Sequence, residues 1–308
     1  MAVSTSLLSV ASLTADDIWR FVRDAAILKQ ETNSGSLSGK AVALLFEKPS
    51  LRTRVSFEVA IRRLGGYAVY LSPTEVGLGR REEIPDVART LSRYVDAIIA
   101  RTFTHRTVEL LAGYARIPVI NGLSDREHPC QALGDMLTIY EKKGKLNGLR
   151  LAFIGDGNNV ARSLLLATSL LGMDFCIASP AQYGLDEESL ELARGFASKS
   201  SARISIVLDP RRAVENADIV YTDVWTSMGQ EAEADERRSA FASYQLNADL
   251  LALASKDVLF MHPLPAHHGE EVTADLLDHP RSVVFDQAEN RLHIQKAILA
   301  RALGGSTT

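Results

Sequence analysis

Ala41-Val42-Ala43-Leu44-Leu45-Phe46 runs directly into Glu47-Lys48-Pro49-Ser50-Leu51-Arg52-Thr53-Arg54, and a helical pattern extends from Thr53 to Leu64. Six consecutive apolar residues suit a strand covered on both faces. Pro49 and Ser50 supply the turn and helix start that follow it. Strand, short turn and helix together make one β/α unit, and the rest of the chain repeats the pattern.

Upstream, Thr14 and Asp17 form a capping box ahead of Ile18, Phe21, Val22, Ala25 and Leu28 at helical spacing, and Glu31–Lys40 is a polar loop. Downstream, Tyr67–Leu71, Ala97–Ala100 and Val119–Ile120 read as strands. Glu83–Tyr94 and His128 to about Lys143 read as helices. A junction at Lys143–Arg150 precedes a second series of strands: Arg150–Ile154, Phe175–Ala178, Ser205–Val207, Ile219–Thr222, Val258–Met261 and Val283–Phe285. The last helix spans about Ala288–Leu303. Two successive β/α blocks predict an α/β protein of two doubly wound parallel-sheet domains with a cleft between them. A length of 308 residues fits two domains.

Composition narrows the class. With 34 Lys and Arg against 38 Asp and Glu, the net charge is −4, and the hydrophobic fraction is 46%. These values exclude a disordered or fibrous chain and any general attraction to nucleic acid or acidic lipid. An anionic ligand must then be held by a local cluster of positive groups. Cys130 and Cys176 form neither a disulfide framework nor a metal signature and predict reduced thiols. The first basic residue is Arg20, which argues against a signal peptide. The apolar run Leu164–Ala178 is interrupted by Thr168, Ser169, Gly172 and Asp174 and falls short of the ~20 residues of a membrane span. The expectation is a soluble, cytoplasmic protein.

In doubly wound folds ligands lie beyond the carboxyl ends of the strands. At those positions Ser50, Arg52, Thr53 and Arg54 open a helix, where backbone N–H groups, hydroxyls and guanidiniums suit a phosphate. Arg101 closes a strand, and His128 and Gln131 share a face at another helix start. Gly155-Asp156-Gly157-Asn158-Asn159 is a glycine turn whose two amides can reach a substrate. Asp223 follows the strand Ile219–Thr222 and leads into Val224–Glu231, where it suits a substrate ammonium, and Ser227–Gly229 suits a mobile lid. His262-Pro263-Leu264-Pro265 follows another strand, and Glu289-Asn290-Arg291 opens the last helix.

These segments, in this order, resemble the aspartate/ornithine carbamoyltransferase family: SxRTR at Ser50–Arg54, Arg101, HPxQ at His128–Gln131, DGNN at Asp156–Asn159, DxWxSMGxE at Asp223–Glu231, HxLPAxxGEE at His262–Glu271 and AENR at Ala288–Arg291. The SMG segment resembles the ornithine branch. The resemblance implies that carbamoyl phosphate is bound by Ser50, Leu51, Arg52, Thr53, Arg101, His128, Gln131, Pro263, Leu264 and Arg291. Arg101, His128, Pro263 and Arg291 would be catalytic, and Asn159, Asp223, Ser227 and Met228 would bind L-ornithine. It implies a carbamoyl-phosphate domain over 1–145, rejoined by a C-terminal helix at about 288–308, and an ornithine domain over 146–287. It also implies a homotrimer in which Ser72–Pro85 of a neighbour reaches the site, and no cofactor or metal.

Two positions depart from the ornithine branch. Pro263 stands where HCLP has cysteine, giving the wording of the aspartate branch, and His268 stands where the family has arginine. Proline offers the attacking amine only carbonyl oxygen. Aspartate or another amine as acceptor is therefore the nearest alternative, and a ligand-binding paralogue with weak catalysis is another. A nicotinamide-dependent oxidoreductase would use Gly155–Asn159, yet Val160 occupies the third glycine position and Ser179-Pro180 follows the next strand where an acid is needed. His262, His267, His268, Glu270 and Glu271 raise the question of a metal, but adjacent histidines share ligand geometry poorly.

Overall fold

The computed structural model describes residues 6–31, 34–227 and 229–304. The chain forms two compact units, Met1–Leu137 with Glu289–Thr308, and Thr138–Ala288.

The first unit contains α1 (Ala15–Gln30), β1 (Ala41–Phe46), α2 (Leu51–Arg63), β2 (Tyr67–Leu71), α3 (Pro73–Val76), α4 (Ile84–Tyr94), β3 (Ala97–Arg101), α5 (His105–Tyr114) and β4 (Val119–Leu123), and α6 (Pro129–Lys143) begins in it. Its sheet is parallel in the order β2-β1-β3-β4. Every residue of β1 and β3 is buried, as expected for central strands with helices on both faces. The predicted capping box is present: Thr14 Oγ1 accepts from Asp17 N–H at 3.1 Å, and Asp17 accepts from Thr14 N–H at 3.0 Å. Ser50 caps α2 and Thr104 caps α5.

At the end of β3 the register shifts: Ala100 pairs with Asn121 and Arg101 with Leu123, leaving Gly122 as the extra residue. A Cβ there would lie 3.3 Å from the Ala100 carbonyl oxygen, so glycine suits the bulge. Alongside β4, Leu7 N–H donates to Val119 O (3.0 Å) and Leu7 O accepts from Asn121 N–H (2.8 Å), so an N-terminal residue covers the strand's outer edge.

The second unit contains β5 (Arg150–Ile154), α7 (Asn159–Leu171), β6 (Asp174–Ala178), α8 (Glu187–Ser200), β7 (Ile204–Val207), α9 (Pro210–Val214), β8 (Ile219–Thr222), α10 (Ala234–Phe241), α11 (Ala248–Leu251) and β9 (Leu259–Met261). Its parallel sheet has the order β7-β6-β5-β8-β9. The core joins Ile154, Val220 and Phe260 to Trp225, Phe241 and Leu251. Gly157 permits a close approach: a Cβ there would lie 2.4 Å from the Gly184 carbonyl carbon, and Gly157 N–H already donates to Tyr183 O at 2.7 Å.

Val283–Phe285 is not a strand. Phe260 N–H donates to Arg281 O and Val283 N–H to Phe260 O, making one isolated bridge, and the chain then turns into α12 (Val284–Leu303). Three apolar residues sustain a single pairing step, and the Gln287 N–H to Val283 O bond starts the helix instead. From Glu289 onward α12 belongs to the first unit, where Lys29 Nζ donates to Asn290 Oδ1 (2.8 Å) and Arg301 lies over Phe21. Among the described residues no helix is long and apolar enough to cross a membrane.

Candidate functional site

In the first unit, Ser50 Oγ accepts from Thr53 N–H at 3.3 Å and Ser50 O accepts from Arg54 N–H at 3.2 Å. The N–H groups of the first turn have no intrahelical acceptor, and Leu51, at 75% exposure, leaves this helix start open. Thr53 is buried, and its Oγ1 accepts from Arg291 Nη2 at 2.9 Å. Arg54 turns away: its guanidinium lies 3.6 Å from the Tyr70 ring centroid and its Nε donates to Glu58.

Arg101, Arg291 and His128 are all buried. Burial lowers the Arg101 pKa to about 10, with Arg291 and Arg52 adding like-charge repulsion. His128 is pushed well below its ordinary 6.5 by burial, then by Arg291, Arg101 and Lys48. Its imidazole is therefore neutral at pH 7 and can donate one hydrogen bond without bringing another charge. Gln131 Nε2 donates to Asp135 at 2.8 Å, while its Oε1 has no hydrogen-bond partner among the described residues. Lys48, absent from the candidates drawn from sequence, is also buried. Its ammonium pKa is lowered by burial and then by Arg101, and it lies 5.3 Å from the Phe103 ring centroid. Its position directly beyond β1 was the available signal.

This end of the sheet thus gathers the charges of Lys48, Arg52, Arg101 and Arg291 around a neutral imidazole. Packed cations that disfavour one another's protonation are costly without an anion. An anion with two or more negative oxygens would relieve that repulsion.

The second unit carries the opposite sign. Asn158 Oδ1 caps α7 by accepting from Val160 N–H (2.9 Å) and Ala161 N–H (3.0 Å), and its Nδ2 donates to Asp223 Oδ2 at 2.8 Å. Its amide therefore orients Asp223, and Asn159 is the first residue of α7. Burial raises the Asp223 pKa, opposed by the hydrogen bonds from Asn158 and Val224. Asp156 pairs with Arg237 at 2.9 Å, yet burial outweighs that pairing and raises its carboxyl to about 6. Ser227 N–H donates to Gln230 Oε1 at 3.0 Å, forming a tight turn. Met228 lies outside the described residues.

Pro263 and His262 are buried, and Leu264 adopts φ +56° before a cis peptide bond to Pro265. Of the five residues weighed as metal ligands, His267, Glu270 and Glu271 bring ligand atoms within 4.8 Å of one another. Their oxygens already serve protein donors: Glu270 accepts from Arg238 and Glu271 from His262. His268 instead makes a β-bridge to Val272. In Ser72–Pro85, α3 ends at a left-handed Gly77, and Arg80 and Arg81 are exposed.

Comparison with known proteins places both units. Residues 5–141 match the family model described as "aspartate/ornithine carbamoyltransferase, carbamoyl-P binding domain", and residues 147–302 match the corresponding "Asp/Orn binding domain". The chain is 53% identical over 303 residues to an anabolic ornithine carbamoyltransferase of Pyrococcus furiosus, covering 97% of this chain and 96% of the relative. It is 52% identical to an ornithine carbamoyltransferase of Bacillus subtilis, covering 96% and 93%. A solved structure of ornithine carbamoyltransferase from Pyrococcus furiosus superposes with a TM-score of 0.96 at 52% identity, covering 99% of this chain and 98% of the other.

Proposed function

The chain belongs to the aspartate/ornithine carbamoyltransferase family, and we propose that it transfers the carbamoyl group of carbamoyl phosphate to the side-chain amine of L-ornithine, giving L-citrulline and phosphate in arginine biosynthesis. Full-length identity above 50% to ornithine carbamoyltransferases supports ornithine over aspartate as acceptor, despite the HPLP wording. The observation that carries the anion half of this reading is the buried cationic set around His128.

Ser50, Leu51 N–H, Arg52 and Thr53 take the phosphate, with the α2 start adding favourable dipole and free N–H groups. Arg101, His128 and Arg291 polarise the carbamoyl oxygen, and Gln131 orients the carbamoyl group. A donor aimed at the developing oxyanion contributes about 3 kcal/mol. Lys48 joins this set. Its charge favours the departing phosphate. Asp223 and Asn159 bind the amino-acid end of ornithine, with Ser227 and Met228 closing over it.

The δ-amine must attack as the neutral base, which costs about 4–5 kcal/mol near pH 7 for a lysine-like amine. Pro263 and Leu264 offer carbonyl oxygens that accept N–H bonds from the amine and the carbamoyl group, and Pro263 has no side-chain group to do more. The amine's lone pair forms the new C–N bond, the tetrahedral intermediate expels phosphate, and the surplus amine proton leaves with phosphate or solvent. Orientation of two bound reactants supplies much of the remaining rate. The protein works as a cytoplasmic homotrimer, with Ser72–Pro85 reaching a neighbouring copy's site.

The test is product formation from carbamoyl phosphate with ornithine, aspartate, putrescine or acetylornithine supplied in parallel. Citrulline from ornithine alone is expected. Carbamoylation of aspartate in preference to ornithine, or no turnover with any amine, overturns the reading.

A further inference from the structure

Beyond β9 the chain makes a short loop from His262 to His267 whose two ends meet on one buried carboxylate. His262 and Glu271 are both fully buried. Leu264 N–H donates to His262 Nδ1 at 2.9 Å, so that nitrogen is an acceptor and the ring proton resides on Nε2. Nε2–H then donates to Glu271 Oε1 at 3.0 Å, and the same oxygen accepts from His267 N–H at 2.7 Å. On the other side, His262 N–H donates to Gln287 Oε1 (2.9 Å), and Gln287 Nε2 donates to Tyr221 OH (2.9 Å).

The loop is thus held from three directions, and it needs to be. Leu264 sits at φ +56°, a left-handed conformation that a branched side chain adopts only when its surroundings enforce it. The enforcing bond is the one from Leu264 N–H to Nδ1, and it exists only while the imidazole is the Nε2–H tautomer. Glu271 selects that tautomer. With the Leu264 N–H turned inward, no hydrogen bond among the described residues reaches the carbonyl oxygens of Pro263 or Leu264.

We infer that Glu271 is a positioning residue for the acceptor amine: through His262 it fixes the backbone that presents the Pro263 and Leu264 carbonyls. This rests on the carbonyl role assigned to that segment under the proposed reaction. It also accounts for a chain that works with proline at 263, since a backbone acceptor needs rigid support where a side-chain one does not.

Two substitutions separate geometry from charge. Glu271→Gln keeps an oxygen for both N–H donors and loses the charge; Glu271→Asp keeps the charge and withdraws it by one methylene. With Glu271→Asp the KM for ornithine rises about tenfold or more and kcat falls, as loss of reactant alignment predicts. The KM for carbamoyl phosphate, whose carbamoyl group shares these carbonyls but whose phosphate is held in the first unit, rises several-fold less than that for ornithine; inhibition by inorganic phosphate stays within about twofold, while Glu271→Gln remains within about threefold of wild type throughout. Imidazole ¹⁵N shifts of His262 report the Nε2–H tautomer in wild type and Glu271→Gln, and a mixture in Glu271→Asp. Unchanged ornithine kinetics in Glu271→Asp, or equal losses for both substrates, overturns the inference, as does a wild-type ring protonated on Nδ1. If wild type makes no citrulline, the reaction fails, and the ¹⁵N spectra still decide whether Glu271 sets the tautomer.

Discussion

In the first unit the chain leaving β1 is capped by Ser50 and joined by Lys48, Arg101 and Arg291. In the second, the chain leaving β5 is capped by Asn158 and flanked by Asp156 and Asp223. Both arrangements are a parallel strand, a short turn and a capped helix, with functional side chains borrowed from neighbouring strand ends. The topology supplies the place, and the sign of the charges supplies the ligand. The first unit disfavours its own cations and awaits an anion; the second raises its carboxyls by burial and suits an ammonium.

The contrast predicts that damage to one set spares the other's substrate. The largest effect is expected from Arg101→Ala, which removes a buried cation that the proposed reaction sets against the developing oxyanion. Citrulline formation should lose roughly 10²–10³-fold in kcat, about 3 kcal/mol. Phosphate inhibition should weaken, with ornithine affinity from equilibrium binding much less affected. Retention of more than a tenth of kcat would remove Arg101 from the reacting centre.

An effect of similar energy, spread over pH and read in stability, separates the units next. Folding raises Asp156 from 3.8 to about 6, so between those values the folded chain keeps a proton that the unfolded chain has released. Stability attributable to Asp156 is therefore highest below pH 3.8 and declines as pH rises to about 6, by roughly 3 kcal/mol in all. His128 acts in the other direction. Its pKa is depressed, so the unfolded chain takes up protons below about 6.5 that the folded ring refuses, and acidification costs stability. Relative to wild type, Asp156→Asn should gain melting temperature between pH 4 and 6.5. A difference that stays level across that range would contradict the assignment.

The smallest effect compares the caps. Ser50→Ala and Asn158→Ala should each cost about 1 kcal/mol in chemical denaturation. Only Asn158→Ala should also raise the KM for ornithine, because Asn158 holds Asp223 at 2.8 Å. If both variants changed the KM values of both substrates alike, the two loops would not be specialised by sign.

How far the sequence carried this picture depended on the range of the forces involved. β1, β5 and β8 match the apolar runs residue for residue, because local hydrophobicity alone defines a central strand, and the edge strand β2 matches its run as well. Val283–Phe285 misled because the bridge to Phe260, distant in sequence, is made by Ser282, and the helix already starts at Val284. Arg54 reads as a phosphate ligand in SxRTR, yet Tyr70 and Glu58 hold it elsewhere. Lys48 stands in plain view in the loop after β1, but its burial depends on packing that no local pattern reveals. The left-handed Leu264 and the tautomer that holds it need Glu271, and the Asp156–Arg237 pair spans 81 positions. Pairings over such separations leave no periodic trace in the chain.

Leu7, seated against β4, has a consequence for solubility. A parallel strand at the margin of a sheet exposes backbone donors and acceptors to any passing strand, the usual route to edge-to-edge aggregation. Here Val119 O and Asn121 N–H are already taken by Leu7, and Glu127 binds the following Ser9 hydroxyl and Val10 N–H. The chain guards its own border, and the carboxylate fastening that guard is the residue immediately before His128.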